Sequence, residues 1–305
     1  MKLAMIGLGK MGANMVRRLV LDGHEVVAYD VDPESAAALA DEHKNIVSVS
    51  SLEALVNELE APRVVWLMVP HQFVDKSIDS LLDAGLATGD LIVDGGNSNF
   101  NLSKQRAVDL KSSGIHFVDS GTSGGVWGLE NGYSIMAGGS DAAIDLLRPA
   151  LESLAPAKDK GWGHVGPAGA GHYVKMVHNG IEYGMMQAFA EGFEMLDAKK
   201  EMELDLQQIS EIWQHGSVVR SWLLDLIADA FKDDRSLSAL SDYVDDSGEG
   251  RWTVQDSIDL AVPTPVLTLA LQMRFRSRQD EAFAGKVLNA MRAGFGGHSI
   301  KPAEK

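Results

Sequence analysis

The first twelve residues contain the feature that most constrains the fold, a short apolar run followed by a glycine-rich turn. Gly7, Gly9 and Gly12 have the spacing G-x-G-x-x-G, and an amphipathic segment follows them. Between a strand and a helix, these glycines permit a tight turn, close approach to a pyrophosphate and tight helix packing, while the helix N-terminus offers N–H groups to anions. A turn without a ligand would show the same glycines. The context predicts dinucleotide binding through Gly7, Leu8, Gly9, Lys10, Met11 and Gly12.

A second β-rich run, EVVAYD, ends in Asp30 about twenty residues after the glycine turn. A carboxylate there accepts hydrogen bonds from the adenosine ribose and repels a 2′-phosphate. The next residues, Val31 and Asp32, supply no cation for such a phosphate. We therefore predict NAD as the cofactor, with NADP possible but less favoured. The alternative that Asp30 only begins the turn DVDPES stays open at this point.

The N-terminal half alternates β-rich runs with amphipathic segments, which predicts a doubly wound, mostly parallel sheet of Rossmann type. The predicted strands are Lys2–Gly7, Glu25–Asp30, Arg63–Val69, Asp90–Asp94, Ile115–Asp119 and Ser134–Ala137. The predicted helices are Met11–Leu21, Pro33–Glu42, Leu52–Leu59, Phe73–Leu86 and Leu102–Ser112. We expect this NAD-binding domain to cover residues 1–164.

The pattern changes after Gly161, and beyond a glycine-rich junction it becomes entirely helical. Helical periodicity covers residues 171–199 and segments near 205–230, 252–260, 264–274 and 281–292. The glycine-rich junction GWGHVGPAGAG, residues 161–171, separates the two patterns. We therefore predict an all-α domain over residues 165–305 for substrate binding and oligomerisation, ending in a C-terminal tail.

Composition excludes several classes of function. The formal net charge is −16, without a tract of consecutive Lys or Arg, which disfavours nucleic acid binding. Cysteine is absent, and the nine histidines show no metal-ligand spacing, so we expect no metal site. The N-terminus lacks the long apolar core of a signal peptide, and Ala261–Leu271 is too short to span a bilayer. We expect a cytoplasmic protein.

Two loops at the predicted carboxyl edge of the sheet carry candidate binding residues. Asn97 follows the strand DLIVD, where open α/β sheets bind ligands, and could orient substrate or nicotinamide. The segment GTSGGVWG, residues 121–128, reads as a flexible loop in which Ser123, Gly124 and Gly125 offer a hydroxyl and N–H donors to a carboxylate. A helix-opening turn and a sharp connection are the simpler alternatives for these segments.

The helix within residues 169–187 carries most of the candidate chemistry. Lys175, His178, Asn179 and Glu182 share one helix face. A neighbouring stripe is expected to be buried, so that the polar face lies at the edge of a cleft; its members are Val174, Val177, Ile181 and Met185. Cα atoms of Lys175 and Glu182 should lie roughly 10 Å apart, which suits acid–base chemistry at two carbons. A lysine acts as a base only where its pKa is lowered. An ordinary solvated face is the alternative.

In combination, these motifs resemble the decarboxylating 6-phosphogluconate dehydrogenases, in a short, NAD-preferring form within the β-hydroxyacid dehydrogenase superfamily. The matching segments, in order, are GLGKMGANM (7–15), DGGNS (94–98), SGTSGGVWG (120–128), GAGHYVKMVHNGIEYG (169–184) and GRWT (250–253). The glycine turn occurs in many Rossmann enzymes, whereas KMVHNGIEY together with RWT is much more specific.

The resemblance implies oxidation and decarboxylation of 6-phosphogluconate to ribulose 5-phosphate and CO2. Lys175 would be the general base and then acid, Asn179 would help to polarise the carbonyl, and Glu182 would protonate the enediol. The implied substrate ligands are Asn97, Ser123, Gly124, Gly125, His178, Asn179, Tyr183, Arg251, Thr253, Arg292 and His298. The last five would hold the phosphate, where Arg offers paired donors.

Three departures from the long enzymes matter. The chain is shorter and lacks the second half of their helical domain, Arg251 replaces their usual Lys, and Asp30, Val31 and Asp32 stand where NADP enzymes place Asn, Arg and Thr. Arg292 and His298 match a tail motif that reaches a neighbouring subunit, which implies a homodimer or homotetramer. Without that role, Arg292 simply ends a helix and His298 lies in a glycine-rich tail.

Two other functions remain as alternatives. A β-hydroxyacid dehydrogenase for a small unphosphorylated acid would use the same glycine loops and Lys175. The residues that imply a phosphate argue against it; they are Arg251, Thr253, Arg292 and His298. A non-catalytic dinucleotide sensor would not need Lys175 and Glu182 on one helix face. Whether the enzyme serves the pentose phosphate pathway or gluconate utilisation stays open.

Overall fold

The structure, a computed structural model, describes residues 1–296 and contains a mostly parallel eight-stranded sheet. Its strands are β1 (Lys2–Ile6), β2 (Glu25–Tyr29), β3 (Ile46–Ser48), β4 (Val64–Leu67), β5 (Leu91–Asp94), β6 (His116–Ser123), β7 (Ser134–Gly139) and β8 (Trp162–Gly166). The spatial order is β3-β2-β1-β4-β5-β6-β7-β8, and only β6 and β7 pair antiparallel.

Helices cover both faces of this sheet. They are α1 (Lys10–Leu21), α2 (Pro33–Glu42), α3 (Leu52–Glu58), α4 (Val74–Asp83), α5 (Phe100–Lys111), the short α6 (Gly128–Asn131) and α7 (Asp141–Leu154). Alternate residues of each strand enter different cores: Leu3 and Met5 pack in one buried cluster, and Ala4 and Ile6 pack in the other. Strands β1 to β3 are added towards one edge of the sheet and β4 onward towards the other, so the strand order switches between the parallel neighbours β1 and β4, and the glycine turn after β1 lies in the crevice where such sheets bind ligands.

The remaining helices are α8 (Ala170–Ala198), α9 (Leu206–Gln214), α10 (Trp222–Asp233), α11 (Gly248–Asp259), α12 (Pro265–Ser277) and α13 (Phe283–Gly296). The chain divides into two compact units, Met1–His178 and the residues from Asn179 onward. The first turns of α8 therefore pack with the sheet. The predicted fold class, an α/β Rossmann domain followed by an all-α domain, is confirmed.

Several local predictions differ from the structure. No strand was expected at β3 and no helix at α7. The glycine-rich junction was expected only to mark the domain boundary, yet Trp162–Gly166 forms the edge strand β8. A strand with one free edge tolerates glycine because little cross-strand packing is lost. The helical segment near 205–230 is two helices, interrupted near Gly216, whose φ is +75°.

The apolar stripe on α8 was expected to be buried, and this prediction is wrong for three of its members. Ile181 is 52% exposed, and Val174 and Met185 are also exposed. The buried side chains of α8 include Lys175, Met176 and Tyr183 instead. Periodicity identifies an apolar face but does not say what covers it, and the apolar stripe lies outside the packed side of the helix. No helix among residues 1–296 has the length and hydropathy needed to cross a bilayer.

Candidate active site

The glycine turn contains two glycines that the backbone packing requires, Gly7 and Gly12, and one that it does not, Gly9. Gly7 has φ +91°, and an added Cβ would lie 2.6 Å from the Met68 carbonyl oxygen; at Gly12 it would overlap the Gly7 carbonyl oxygen. Gly9 has φ −60°, and an added Cβ would meet no atom within 4 Å. Gly9 precedes α1 without a side-chain cap, so the helix N–H groups are open to an anion. This open cradle fits the pyrophosphate of a dinucleotide.

Asp30 lies directly beside that turn. One carboxylate oxygen accepts a 2.6 Å hydrogen bond from the Leu8 N–H, and the other accepts one of 2.9 Å from the Asp32 N–H. These donors orient the carboxylate at the end of β2. The following residue, Val31, is 90% exposed and brings no positive charge to the position that a 2′-phosphate would take. The residues present therefore fit NAD.

A buried ion pair shapes the loop that carries Asn97. Asp94 Oδ2 accepts hydrogen bonds of 2.7 Å from Ser98 Oγ and 2.8 Å from Arg106 Nη1, and Asp94 Oδ1 accepts one from the Gly96 N–H. Asn97 itself is exposed. The sequence did not indicate that Asp94 and Arg106 form an ion pair. The two residues are twelve positions apart, and only the fold brings them together.

The segment that contains Ser123, Gly124 and Gly125 has more β-strand than the sequence predicted. β6 was predicted to end at Asp119, but it continues to Ser123, which pairs with Ser134 of β7. The prediction of a flexible loop starting at residue 121 is therefore wrong for its first three residues. Gly124 and Gly125 form the turn, with φ values of +137° and +52°. Ser123 thus projects from the end of a strand rather than from a mobile loop.

Lys175 lies in α8 against this strand. It is only 7% exposed. A Cβ added at Gly121 would lie 2.5 Å from Lys175 Cβ and 2.6 Å from the Gly171 carbonyl oxygen, so the helix and β6 touch backbone to backbone. Lys175 Nζ lies 3.5 Å from His178 Nδ1. The structure thus brings together Lys175, His178 and the strand leading into Ser123, with Lys175 largely shielded from solvent.

Asn179 and Glu182 follow on the same unbroken helix, both half-buried. They belong to the second compact unit, as does Tyr183. Tyr183 Oη accepts a 2.7 Å hydrogen bond from the Ser247 N–H. Its ring lies against Gly250, where an added Cβ would come within 2.5 Å.

The start of α11 packs closely on α8 beside Tyr183. A Cβ added at Gly180 would lie 2.7 Å from Thr253 Cγ2, and Thr253 Oγ1 donates to the Glu249 carbonyl oxygen at 2.8 Å. Thr253 is buried. The structure therefore brings the predicted phosphate ligands Tyr183 and Thr253 to neighbouring turns of two packed helices.

Arg251 lies within a cluster of cations that sequence reasoning only partly identified. Its guanidinium donates to Asp246 Oδ2 at 2.5 Å, and Arg278 Nη1 lies 2.6 Å from Asp246 Oδ1. Both guanidinium groups lie over the Phe275 ring, and that of Arg274 lies 3.6 Å from the centre of the Tyr183 ring. The hydrogen bond from Arg251, with help from Arg278, lowers the pKa of Asp246.

The missed cations, Arg274 and Arg278, lie within or directly after α12 in the basic segment RFRSR. Basic residues at a helix C-terminus are commonplace, so the segment was not distinctive. Of the two predicted tail ligands, Arg292 is exposed on α13, and His298 lies outside the described residues. Within residues 1–296, no group of three or more histidine and carboxylate side chains could hold a metal ion.

Comparison with known proteins matches both halves of the chain to family models. The NAD binding domain of 6-phosphogluconate dehydrogenase matches residues 2–166, and the 6-phosphogluconate dehydrogenase C-terminal domain matches residues 171–293. An NAD(+)-dependent, decarboxylating 6-phosphogluconate dehydrogenase of Haloferax volcanii is 44% identical over 302 residues, 98% of each chain. A putative 6-phosphogluconate dehydrogenase of Bacillus subtilis is 41% identical over 303 residues, 99% of each chain.

A solved relative has the same architecture. The 6-phosphogluconate dehydrogenase of Plasmodium falciparum superposes with a TM-score of 0.82 at 29% identity, covering 100% of this chain and 67% of that one. That enzyme was studied with NADP+ and with 6-phosphogluconate.

Proposed function

The chain belongs to the 6-phosphogluconate dehydrogenase family, and we propose that it converts 6-phosphogluconate to ribulose 5-phosphate and CO2 with reduction of NAD. The observation that carries the proposal is the buried Lys175, packed against the strand that ends in Ser123. If the turn at Gly124 and Gly125 binds the substrate carboxylate, the substrate lies beside this buried lysine, and the two can exchange protons.

In the first step, Lys175 takes the proton of the C3 hydroxyl group. The chemistry that NAD supplies when bound, through the Gly7–Gly12 turn and Asp30, is acceptance of the hydride from C3. Protonated Lys175, aided by Asn179, then polarises the new carbonyl of the β-keto acid. The bond to the carboxylate breaks, CO2 leaves, and the electron pair forms an enediol whose new hydroxyl group takes the proton of Lys175. Glu182 then protonates the carbon that becomes C1 of ribulose 5-phosphate, while Lys175 takes back the hydroxyl proton as the ketone forms.

Different residues are assigned to the carboxylate, the hydroxyl groups and the phosphate of the substrate. We assign the substrate carboxylate to Ser123, Gly124 and Gly125, and the substrate hydroxyl groups to His178 and Asn97. We also assign Asn97 to the cofactor site. We assign the phosphate to Tyr183, Thr253, Arg251, Arg292 and His298, and we add Arg278, because it shares Asp246 with Arg251. A dianionic phosphate competes with Asp246 for these two arginines. This local positive charge offsets the acidity of the whole chain, whose net charge is −16.

We also propose that the enzyme is a homodimer or homotetramer in the cytoplasm. The exposed apolar stripe on α8 supports an assembly, as does an apolar cavity of 720 Å³ in the helical unit, lined by Phe189, Phe193, Leu226 and Phe231 among others. We place the end of the cofactor domain near residue 164. The two matched family segments, which leave residues 167–170 between them, support this boundary.

The test measures NADH absorbance and CO2 release together, with 6-phosphogluconate and either NAD or NADP. We expect equal amounts of NADH and CO2, and slower turnover with NADP. NADH without CO2, or turnover only of unphosphorylated hydroxy acids, would refute the proposal.

The role of Lys175 is tested separately with Lys175→Met. We expect turnover to fall by about 1,000-fold or more, within the range of a lost general acid–base group, while NAD still binds. Lys44→Met, at an exposed position, is the matched control. Substantial turnover by Lys175→Met would exclude Lys175 as the base.

A further inference from the structure

A buried chain of polar groups joins three segments that carry proposed site residues, although none of its members has been assigned a role. Its members are Asp119 of β6, His172 of α8, Ser103 of α5 and Asn99, which directly precedes α5. All four lie within the first compact unit. The chain therefore runs between the strand of Ser123, the helix of Lys175 and the loop of Asn97.

Asp119 fixes the beginning of α8. Its Oδ1 accepts a 2.6 Å hydrogen bond from the Gly169 N–H, and its Oδ2 accepts one of 2.7 Å from the His172 N–H. Asp119 thus satisfies two of the N–H groups that every helix start leaves unpaired. Desolvation by burial raises the pKa of Asp119, and the two donors together with His172 oppose that rise. Two residues further along β6, Gly121 meets Lys175.

His172 connects this cap to α5. Its ring is 2% exposed, with Nδ1 2.7 Å from Ser103 Oγ and 3.9 Å from Asp119 Oδ2. Ser103 Oγ lies 3.5 Å from the Asn99 carbonyl oxygen. Nε2 has no hydrogen-bond partner among the described residues.

These contacts favour one tautomer of His172. With the proton on Nδ1, the ring donates to Ser103, which donates onward to Asn99, and Nε2 is left as a bare lone pair. A buried unpaired acceptor costs less than a buried unpaired N–H. The tautomer is assigned from the network of partners.

Apolar contacts between α5 and α8 surround the histidine. The rings of Phe100 and Tyr173 meet edge to face with centroids 5.0 Å apart. A Cβ added at Gly169 would lie 2.7 Å from Lys104 Cγ and 3.0 Å from the Phe100 carbonyl oxygen. Apolar contact alone allows a helix to slide and rotate slightly. The hydrogen bonds of His172 define the rotation of α8 about its axis and its position along that axis.

We propose that His172 is a positioning residue, which holds the Lys175 turn of α8 in register with the Asn97 loop and the end of β6. The inference rests on the proposed role of Lys175 as the general base. A displacement of about 1 Å at a reacting group can lower the rate roughly 100-fold. His172 acts on the chemical step only through this placement, so that its loss lowers kcat far more than the affinity for NAD.

The test compares His172→Leu, His172→Asn and Ser103→Ala. Leucine fills space without a polar group, whereas the asparagine amide lies near the position of Nδ1 and can restore the bond to Ser103. His24→Leu is the matched control, because His24 is 5% exposed and its Nε2 lies 2.7 Å from Ser153 Oγ on another side of the same unit. Thermal unfolding, kcat, KM for 6-phosphogluconate and Kd for NAD are measured for each.

We expect His172→Leu to lower kcat by about 30-fold and Ser103→Ala by about 5-fold, short of the full loss for a displaced reacting group. His172→Asn should recover most of the rate, and Kd for NAD should stay within about twofold throughout. With substrate deuterated at C3, the isotope effect on kcat should increase in His172→Leu, because the chemical step becomes slower. His24→Leu should be destabilised to a similar degree but keep its kcat.

Equal kcat values for His172→Leu and His24→Leu, or no recovery in His172→Asn, would overturn the inference. If His172→Leu does not fold, Ser103→Ala is the deciding variant, and an unchanged kcat of Ser103→Ala overturns the inference. Failure of the proposed function looks different, since the unaltered enzyme would then form no NADH from 6-phosphogluconate. Failure of the base assignment would appear as turnover by Lys175→Met.

Discussion

Replacing Gly121 with alanine tests whether the contact between β6 and α8 sets the geometry of the reaction. The new Cβ would lie 2.5 Å from Lys175 Cβ and 2.6 Å from the Gly171 carbonyl oxygen. Carbon atoms in contact are ordinarily about 3.5–4.0 Å apart. The helix and strand must therefore separate by about 1 Å or more, which moves Lys175 away from Ser123.

This displacement has two expected consequences. Overpacking of a close contact costs about 1–3 kcal/mol of unfolding free energy, which corresponds to a fall in Tm of roughly 2–10 °C for a domain of this size. The misplaced lysine should lower kcat by about 100-fold. The Kd for NAD should not change, because the turn that binds the cofactor does not touch Gly121.

The assay combines steady-state NADH formation, NAD titration by fluorescence and thermal unfolding. Gly163→Ala is the matched control: it is also a glycine of the sheet, but an added Cβ there meets no atom within 4 Å. A Gly121→Ala enzyme with unaltered kcat would show that the tight contact does not place Lys175. An equal loss of kcat in Gly163→Ala would show that the assay reports general damage.

Two further predictions concern the cofactor and the cation cluster. Asp30→Ser combined with Val31→Arg should shift the ratio of kcat/KM values towards NADP, because a repelling carboxylate is removed and a phosphate partner added; an unchanged ratio would contradict the cofactor argument. Since Arg251 and Arg278 lower the pKa of Asp246 below its ordinary value of 3.8, the Asp246 carboxylate stabilises the fold above that value and loses this effect as pH falls through the lowered pKa. Urea unfolding should therefore show a stability gap between the unaltered protein and Asp246→Asn that is constant from pH 7 to about 4 and narrows below; a gap that persists at lower pH would contradict the ion-pair reasoning.

The elements that sequence patterns predicted well are those whose causes are local. The glycine turn, Asp30 at the end of β2 and the long helix α8 each depend on neighbouring residues, and α2 was predicted with the bounds Pro33–Glu42 that the structure has. The position of Lys175 on α8 follows from the same local periodicity.

What the sequence could not predict depends on contacts between distant residues. Asp119 and His172 are 53 positions apart, and nothing in either local pattern indicates that one caps the helix of the other. The continuation of β6 to Ser123 depends on its pairing with β7, which overrides the apparent flexibility of a glycine-rich run. Arg278 joins Arg251 only because both donate to Asp246, which lies in the loop before α11.

The open space at Gly9 has a consequence for how variants of this enzyme would behave. A side chain at Gly7 or Gly12 would collide with backbone atoms, so we expect such substitutions to destabilise the fold. A small side chain at Gly9 meets no atom within 4 Å, so we expect the chain to fold, while that side chain occupies space at the start of α1 where the pyrophosphate would bind. We therefore expect Gly9→Ala to separate folding from cofactor binding, giving a folded protein that binds NAD more weakly.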